Sequence, residues 1–102
     1  MKYLVIGNQV VMASEHEAQV NYIELTNKWI TKKKEDGTVE AAYSFASGGG
    51  FFIFNVKDHE DLLRVLAEFP LRPLSELEVH GITDFVTANR IMTDAMKKIK
   101  ID

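Results

Sequence analysis

The sequence predicts an α+β fold in which four strands and two helices follow one another as β-α-β-β-α-β. One observation is the segment 48–82, which passes from glycines through an apolar strand and a capped amphipathic helix to a proline-framed turn and another strand. A second is the segment 2–46, which contains a strand, a long helix and a strand in the same order. Right-handed crossovers would place both helices on one face of a four-stranded antiparallel sheet, the ferredoxin-like arrangement.

The first strand and the first helix have clear local signals. Residues 2–7 are apolar on both strand faces, which is typical of a strand that is covered on both sides. Ser14 and Glu17 have the spacing of a capping box, so we expect a helix from about Glu15 to Glu35, with Gly37 as its terminator. One side of this helix is predicted to carry Ala18, Tyr22, Leu25, Thr26 and Trp29.

The middle of the chain reads as a hairpin. Residues 38–46 and 51–56 are predicted strands, and the short loop 47–50 between them favours antiparallel pairing. The loop contains three consecutive glycines, but no lysine and helix follow it as a phosphate-binding loop requires. A flexible turn or a close approach of two backbone segments is the better interpretation.

The second helix is predicted to begin after Asp58 and to end at Pro70. Pro73 is expected to keep the connection extended before a fourth strand over 74–82. That strand alternates, so Leu77 and Val79 share one face while Glu78 and His80 share the other. The apolar stripe of the second helix consists of Leu62, Val65, Leu66 and Phe69.

Apolar residues on both faces of the sheet predict two different covers. The helices cover one face, and the sheet of a second subunit is the simplest cover for the other, which gives a homodimer or a larger ring. Residues 83–102 lie beyond the four-strand domain of residues 1–82. They are expected to form an amphipathic helix that is capped by Thr87 and packs on its own subunit or on a neighbour.

Composition excludes several classes of function. A net charge of −3 argues against general nucleic-acid binding, which needs a basic surface. The chain has no cysteine, so thiolate catalysis and zinc–sulfur sites are excluded. The N-terminal apolar run is too short for a membrane span, and a cytoplasmic protein is expected. No spacing typical of a metal site or of a hydrolase nucleophile is present, so neither a metal site nor nucleophilic hydrolysis is predicted.

The segment from about Gly37 to Ile82 resembles the muconolactone isomerase family. The matching pieces are Phe54-Asn55-Val56, Leu63 to Leu66, Pro70-Leu71-Arg72-Pro73 and Glu78-Val79-His80-Gly81-Ile82. The resemblance implies a dimeric α+β barrel, in which two ferredoxin-like subunits pack sheet to sheet. It also implies a cofactor-free enzyme or binder that acts on a small lactone or carboxylate, with a proton shift as the reaction.

Glu78 and His80 are the candidate catalytic residues. Histidine exchanges protons near neutral pH, and Glu78 lies one pleat away on the same strand face, where it could orient the ring. The alternative interpretation is an exposed polar edge. For substrate binding, Arg72 could hold a carboxylate with its planar guanidinium, although a solvated turn arginine is the simpler interpretation. Tyr22, Trp29 and Tyr43 are expected to line a pocket between the helices and the sheet, with ordinary core packing as the alternative for the first two.

Two other functions remain open at this point. One is an oligomeric module that binds a small ligand without catalysis. The other is a monooxygenase on the same barrel scaffold. The expected partners are a second copy of the chain and a small molecule, not a nucleic acid or a membrane.

Overall fold

The computed structural model describes residues 1–99 and confirms the predicted fold class and element order. The sheet order is β2-β3-β1-β4, and every neighbouring pair of strands is antiparallel. None of the helices within residues 1–99 is long and apolar enough to cross a membrane. The elements are β1 (Lys2–Gln9), α1 (His16–Glu35), β2 (Val39–Ser44), β3 (Gly50–Asn55), α2 (His59–Ala67), a short 3-10 turn (Arg72–Leu74), β4 (Ser75–Ile82) and α3 (Phe85–Lys98).

The core lies between one face of the sheet and the helices α1 and α2. Val5 and Phe54 are fully buried on that face, and Leu62 of α2 packs against them. Trp29 of α1 lies over Phe52, with its ring centroid 6.1 Å from that of the phenylalanine. The apolar stripe predicted for the second helix is buried as expected, because it is the surface that meets the sheet. The buried apolar residues are Tyr3, Val5, Val39, Phe54, Val56, Leu62, Val65, Leu66 and Phe69.

Neither α1 nor α2 packs on the other face, which we call the open face of the sheet. Strand register places two rows of side chains across it. Both rows are apolar across β3 and β1 and polar on β4. The first row is Tyr43, Phe51, Ile6 and Glu78, and the second is Ala41, Ile53, Leu4 and His80.

The start of α1 differs from the prediction. Glu15 is the N-cap and makes no side-chain capping bond, so the expected capping box of Ser14 and Glu17 is wrong. No side chain caps the helix in its place; the chain before the helix is instead fixed by the buried side chain of Gln19. Its Oε1 accepts hydrogen bonds from the backbone N–H of Ala13 at 3.0 Å and from Nε2 of Gln9 at 2.9 Å, which ties the preceding loop and β1 to the helix.

The buried side of α1 is also rotated from the expected one. Of the residues predicted on the apolar side, Thr26 is buried but Leu25 is 53% exposed, and Gln19, which is not predicted there, is buried. Thr26 tolerates burial because its hydroxyl donates to the backbone carbonyl of Tyr22 at 2.8 Å, which leaves no unpaired polar atom.

The turn after α1 and the β2–β3 hairpin require glycine for different reasons. Gly37 has φ +84° and ends α1 as predicted, and hydrogen bonds from the Thr38 hydroxyl and backbone N–H lower the pKa of Asp36. In the hairpin, Gly49 has φ +77° and lies against β1, so that a Cβ there would come within 2.7 Å of the Gly7 carbonyl oxygen. The predicted close backbone approach is therefore present.

The second helix begins as predicted, because Asp58 Oδ1 accepts the N–H of Asp61 at 2.8 Å. The connection after it is not extended. It contains the 3-10 turn Arg72–Leu74, and Pro73 fits the beginning of this turn because its fixed φ suits a helical turn and no N–H is needed there.

The last helix begins two residues before its predicted cap. Asp84 is the N-cap, and its Oδ2 accepts the N–H of Thr87 at 3.1 Å, so Thr87 lies inside the first turn. The helix has no buried residue and the molecule measures 67 × 27 × 24 Å, so the helix projects from the sheet domain. Residues 100–102, the end of the predicted helical extension, lie outside the described residues.

Candidate functional site

A cleft of about 540 Å³ lies between α1 and the end of the sheet that carries the β2–β3 hairpin. Its volume is in the range of small-molecule pockets. Helix α1 supplies Ile23, Thr26, Asn27, Ile30 and Lys34; the sheet and hairpin supply Gly7, Gln9, Ala42, Tyr43, Ser44, Gly49, Gly50, Phe51 and Phe52; and Phe69, Leu71 and Ser75 complete the lining.

The lining is more apolar than polar and carries one charge. Phe52, Phe69 and Ile30 form much of the wall, and Lys34 is the single charged residue among the described residues that line the cleft. A lysine with no carboxylate on the same wall favours an anionic or carbonyl group on a ligand. The cleft therefore suits a compact, mostly apolar molecule with one negatively polarised end.

Several polar side chains of the lining are already held in place. Gln9 exchanges two hydrogen bonds with Gln19, each between 2.9 and 3.0 Å. Because both amides are paired, the Gln9 side chain is fixed where the cleft meets β1. The Thr26 hydroxyl is likewise occupied by a backbone carbonyl. These groups shape the wall, whereas Lys34 is exposed and available to a ligand.

Trp29 supports the cleft from behind. Its ring lies 5.4 Å from the ring of Phe69 and packs edge-on against Phe52 and Phe54. Its indole Nε1 is buried and has no hydrogen-bond partner among the described residues. A buried N–H without a partner costs about 1–3 kcal/mol, so this residue is not the best choice for packing alone.

Glu78 and His80 are in contact on the open face. His80 Nε2 lies 2.8 Å from Glu78 Oε2, and the two side chains are 51% and 65% exposed for His80 and Glu78 respectively. The register places them beside Leu4 and Ile6. Within residues 1–99, no three histidine or carboxylate side chains gather closely enough to hold a metal ion.

The other residues that the sequence singles out are dispersed. Tyr43 borders the cleft, but its ring lies on the open face and stacks on Phe51 at 5.6 Å. Tyr22 is half-buried on α1 and does not line the cleft. Arg72 lines a second, smaller cleft of about 290 Å³ between α2 and β4. The structure thus brings Glu78 and His80 together and places the predicted binding residues in separate regions.

Sequence reasoning missed Lys34, Asn27 and the hairpin backbone as parts of the cleft. The signal for the helical residues is their spacing, since positions 23, 27, 30 and 34 recur on one side of a helix. From the sequence alone, Lys32, Lys33 and Lys34 are explained by their favourable interaction with the negative end of the α1 helix dipole. The hairpin backbone lines the cleft because of the register between the strands, and the spacing of residues in the sequence does not give that register.

The crystal structure of muconolactone isomerase is similar to this chain, with a TM-score of 0.76 over 82% of this chain and 90% of that chain. The chain has the muconolactone isomerase fold. The sequences are 19% identical, so the similarity establishes the fold and not the reaction. The crystal structure of an antibiotic biosynthesis monooxygenase is also similar, with a TM-score of 0.51, 16% identity, and coverage of 82% of this chain and 100% of that chain. No protein-family model and no curated protein matches the sequence.

Proposed function

We propose that this protein binds a small anionic molecule in the cleft between α1 and the sheet, and that it self-associates through the open face. The observation that carries the proposal is the cleft itself, whose largely apolar lining contains a single cation, Lys34. Such a site gains affinity from apolar burial and orientation from one charge. The fold supports the proposal, because a protein with the same fold, muconolactone isomerase, is named for a lactone.

The test replaces the cation and leaves the walls intact. Binding of muconolactone and of its uncharged methyl ester is measured by calorimetry on the wild type and on Lys34→Gln. We expect the variant to bind the carboxylate about two- to fivefold more weakly, the effect of one exposed ion pair, and to bind the ester unchanged. Lys32→Gln, on the same helix but outside the cleft lining, is the control. Equal binding by the wild type and Lys34→Gln would refute the role of Lys34, and absence of binding by the wild type would refute this ligand class.

A second candidate function is enzymatic, a proton shift on a small lactone carried out by His80 and Glu78. The favouring observation is their 2.8 Å contact beside the apolar rows of the open face. A second sheet packed on that face would exclude water from the pair, and a dry environment strengthens proton transfer by positioned groups. In this function His80 is the base, and Glu78 holds the imidazole in orientation.

The enzymatic candidate has its own test. Loss of muconolactone absorbance is followed with the wild type, with His80→Ala and with His16→Ala, which changes an exposed histidine at the start of α1. We expect His80→Ala to lower turnover by about 10²- to 10⁴-fold, the usual contribution of one acid or base, and His16→Ala to leave it unchanged. Turnover by His80→Ala at the wild-type rate excludes the residue from the mechanism. If the wild type binds muconolactone but does not turn it over, the enzymatic function is refuted and the binding function stands.

A further inference from the structure

The exposed surface of the chain is too large for a compact monomer. The chain exposes 7643 Å², whereas a compact protein of 11.6 kDa exposes about 5,800 Å². A standard interface buries about 800 Å² per partner, so the excess of about 1,800 Å² corresponds to roughly two such interfaces. The contact proposed above for the open face of the sheet would be one of them, and this inference rests on that proposal. A second surface is then expected elsewhere.

Helix α3 is one half of that second surface. Its large apolar side chains are all exposed, Phe85 by 79% and Met96 by 71%, and all but Val86 lie on one side of the helix. The opposite side carries Arg90, Asp94 and Lys97. A 14-residue helix without tertiary packing is only marginally stable in water. The apolar stripe consists of Phe85, Ala88, Ile91, Met92, Ala95 and Met96.

The smaller cleft between α2 and β4 is the other half. Leu62, Leu66 and Leu77 form its floor, while Leu63 and Val79 at its sides are 60% and 41% exposed. We call it the α2–β4 groove. It lies on the helix side of the sheet, so a partner on the open face would leave it uncovered. Both the groove and the α3 stripe thus need an apolar cover that the sheet-to-sheet contact does not provide.

We propose that α3 of one copy of this chain docks in the α2–β4 groove of a second copy. This one contact would bury both apolar surfaces. It would also account for the second interface that the large exposed surface predicts. The two helices carry net charges of opposite sign, because α3 with its two caps has three basic and two acidic residues, while α2 with its two caps has one basic and four acidic residues. Arg72, which lines the groove, is basic. The helix projects from its own domain, which is the arrangement that a helix exchanged between copies requires.

Disulfide trapping tests this contact directly, because the natural chain contains no cysteine to interfere. Leu63→Cys and Met92→Cys are prepared as separate full-length proteins, one with a size tag, then mixed and oxidised. We expect a cross-linked pair in the mixture and none in either protein alone. Lys28→Cys, exposed on α1, replaces Leu63→Cys in the control mixture and should not cross-link to Met92→Cys.

Each other outcome overturns the proposal. Cross-linking of Met92→Cys with itself shows that α3 pairs with α3. An internal disulfide in a chain that carries both cysteines, without cross-linking in the mixture, shows that α3 folds back on its own groove. No disulfide in any sample shows that the groove is not the site of α3.

A second measurement does not depend on disulfide geometry. Met92→Glu places a charge within the stripe, whereas Thr93→Glu places one beside it. We expect Met92→Glu to raise the protein concentration needed for assembly by at least about tenfold in light scattering, and Thr93→Glu to leave it unchanged. Equal assembly by both variants would refute the docking.

Discussion

At the scale of single residues, backbone conformation and close packing limit which side chains a position accepts. The strongest case is the glycine hairpin, where two adjacent residues share a left-handed backbone but differ in their surroundings. Gly48 has φ +104° and no atom within 4 Å of the place that a Cβ would occupy, whereas Gly49 lies against Asn8 and the Gly7 carbonyl. The two positions therefore separate the cost of backbone strain from the cost of a steric overlap.

The substitutions Gly48→Ala and Gly49→Ala test this difference. We expect both to lower the free energy of unfolding, since each puts a Cβ into the left-handed region, and Gly49→Ala to lower it by about 1–3 kcal/mol more because β1 has to move. Urea unfolding followed by circular dichroism measures the two values. Equal losses would mean that β1 yields without cost.

Residue chemistry also decides which predictions from sequence succeed. The contact between Glu78 and His80 follows from strand alternation alone, and the structure contains it. Lys34 could not be assigned to the cleft in the same way, because its neighbours there come from the hairpin and from the turn after α2. The periodicity of a helix or strand shows which residues share a face. It does not show which distant segment of the chain packs against that face.

At the level of elements, the link between β1 and α1 depends on polar side chains. Gln9 and Gln19 exchange hydrogen bonds, and Gln19 also takes the N–H of Ala13. A capping box is the obvious sequence signal at this helix start, but the structure has no side-chain cap there, and the buried amide of Gln19 holds the preceding loop instead. Helix and strand patterns predict every strand and α-helix of the fold, but they do not predict the 3-10 turn Arg72–Leu74. The link between β1 and α1 is not predicted either, because it depends on a contact between residues ten positions apart.

A double-mutant cycle measures the link. Gln9→Ala and Gln19→Ala are each expected to lower the free energy of unfolding by about 1–3 kcal/mol, since each leaves buried polar groups unpaired. The double variant should lose less than the sum of the two, by about 0.5–3 kcal/mol. Asn21→Ala, an exposed change on the same helix, should have little effect. Strict additivity in thermal or urea unfolding would show that the amides do not act as a pair.

For the whole molecule, the central fact is that one sheet has two apolar faces and only one is covered by helices. The radius of gyration of 17.6 Å exceeds the value of about 13 Å for a compact chain of this length. Burial of the open face by a second sheet would remove Phe51, Ile53, Leu4 and Ile6 from water. Such burial contributes about 25 cal/mol for each Å² of apolar surface.

A matched pair of substitutions on β3 tests self-association through the open face. Ile53→Glu places a charge among the apolar rows, while Asn55→Glu places one on the same strand and face but at its exposed end. We expect Ile53→Glu to lower the mass measured by light scattering and to keep its far-ultraviolet circular dichroism, because a buried unpaired charge is costly. Asn55→Glu should assemble like the wild type. Unchanged mass for Ile53→Glu would refute the contact.

The hairpin between β2 and β3 has a consequence for how ligand preference could change in such a protein. Where Gly49 and Gly50 border the cleft, the wall is bare main chain, so there is no side chain to exchange for a larger or smaller one. A wider or narrower entrance would have to come from the number of residues in the loop. Insertion or deletion of residues there is thus the expected evolutionary route to a different ligand size, while the strands on either side stay as they are.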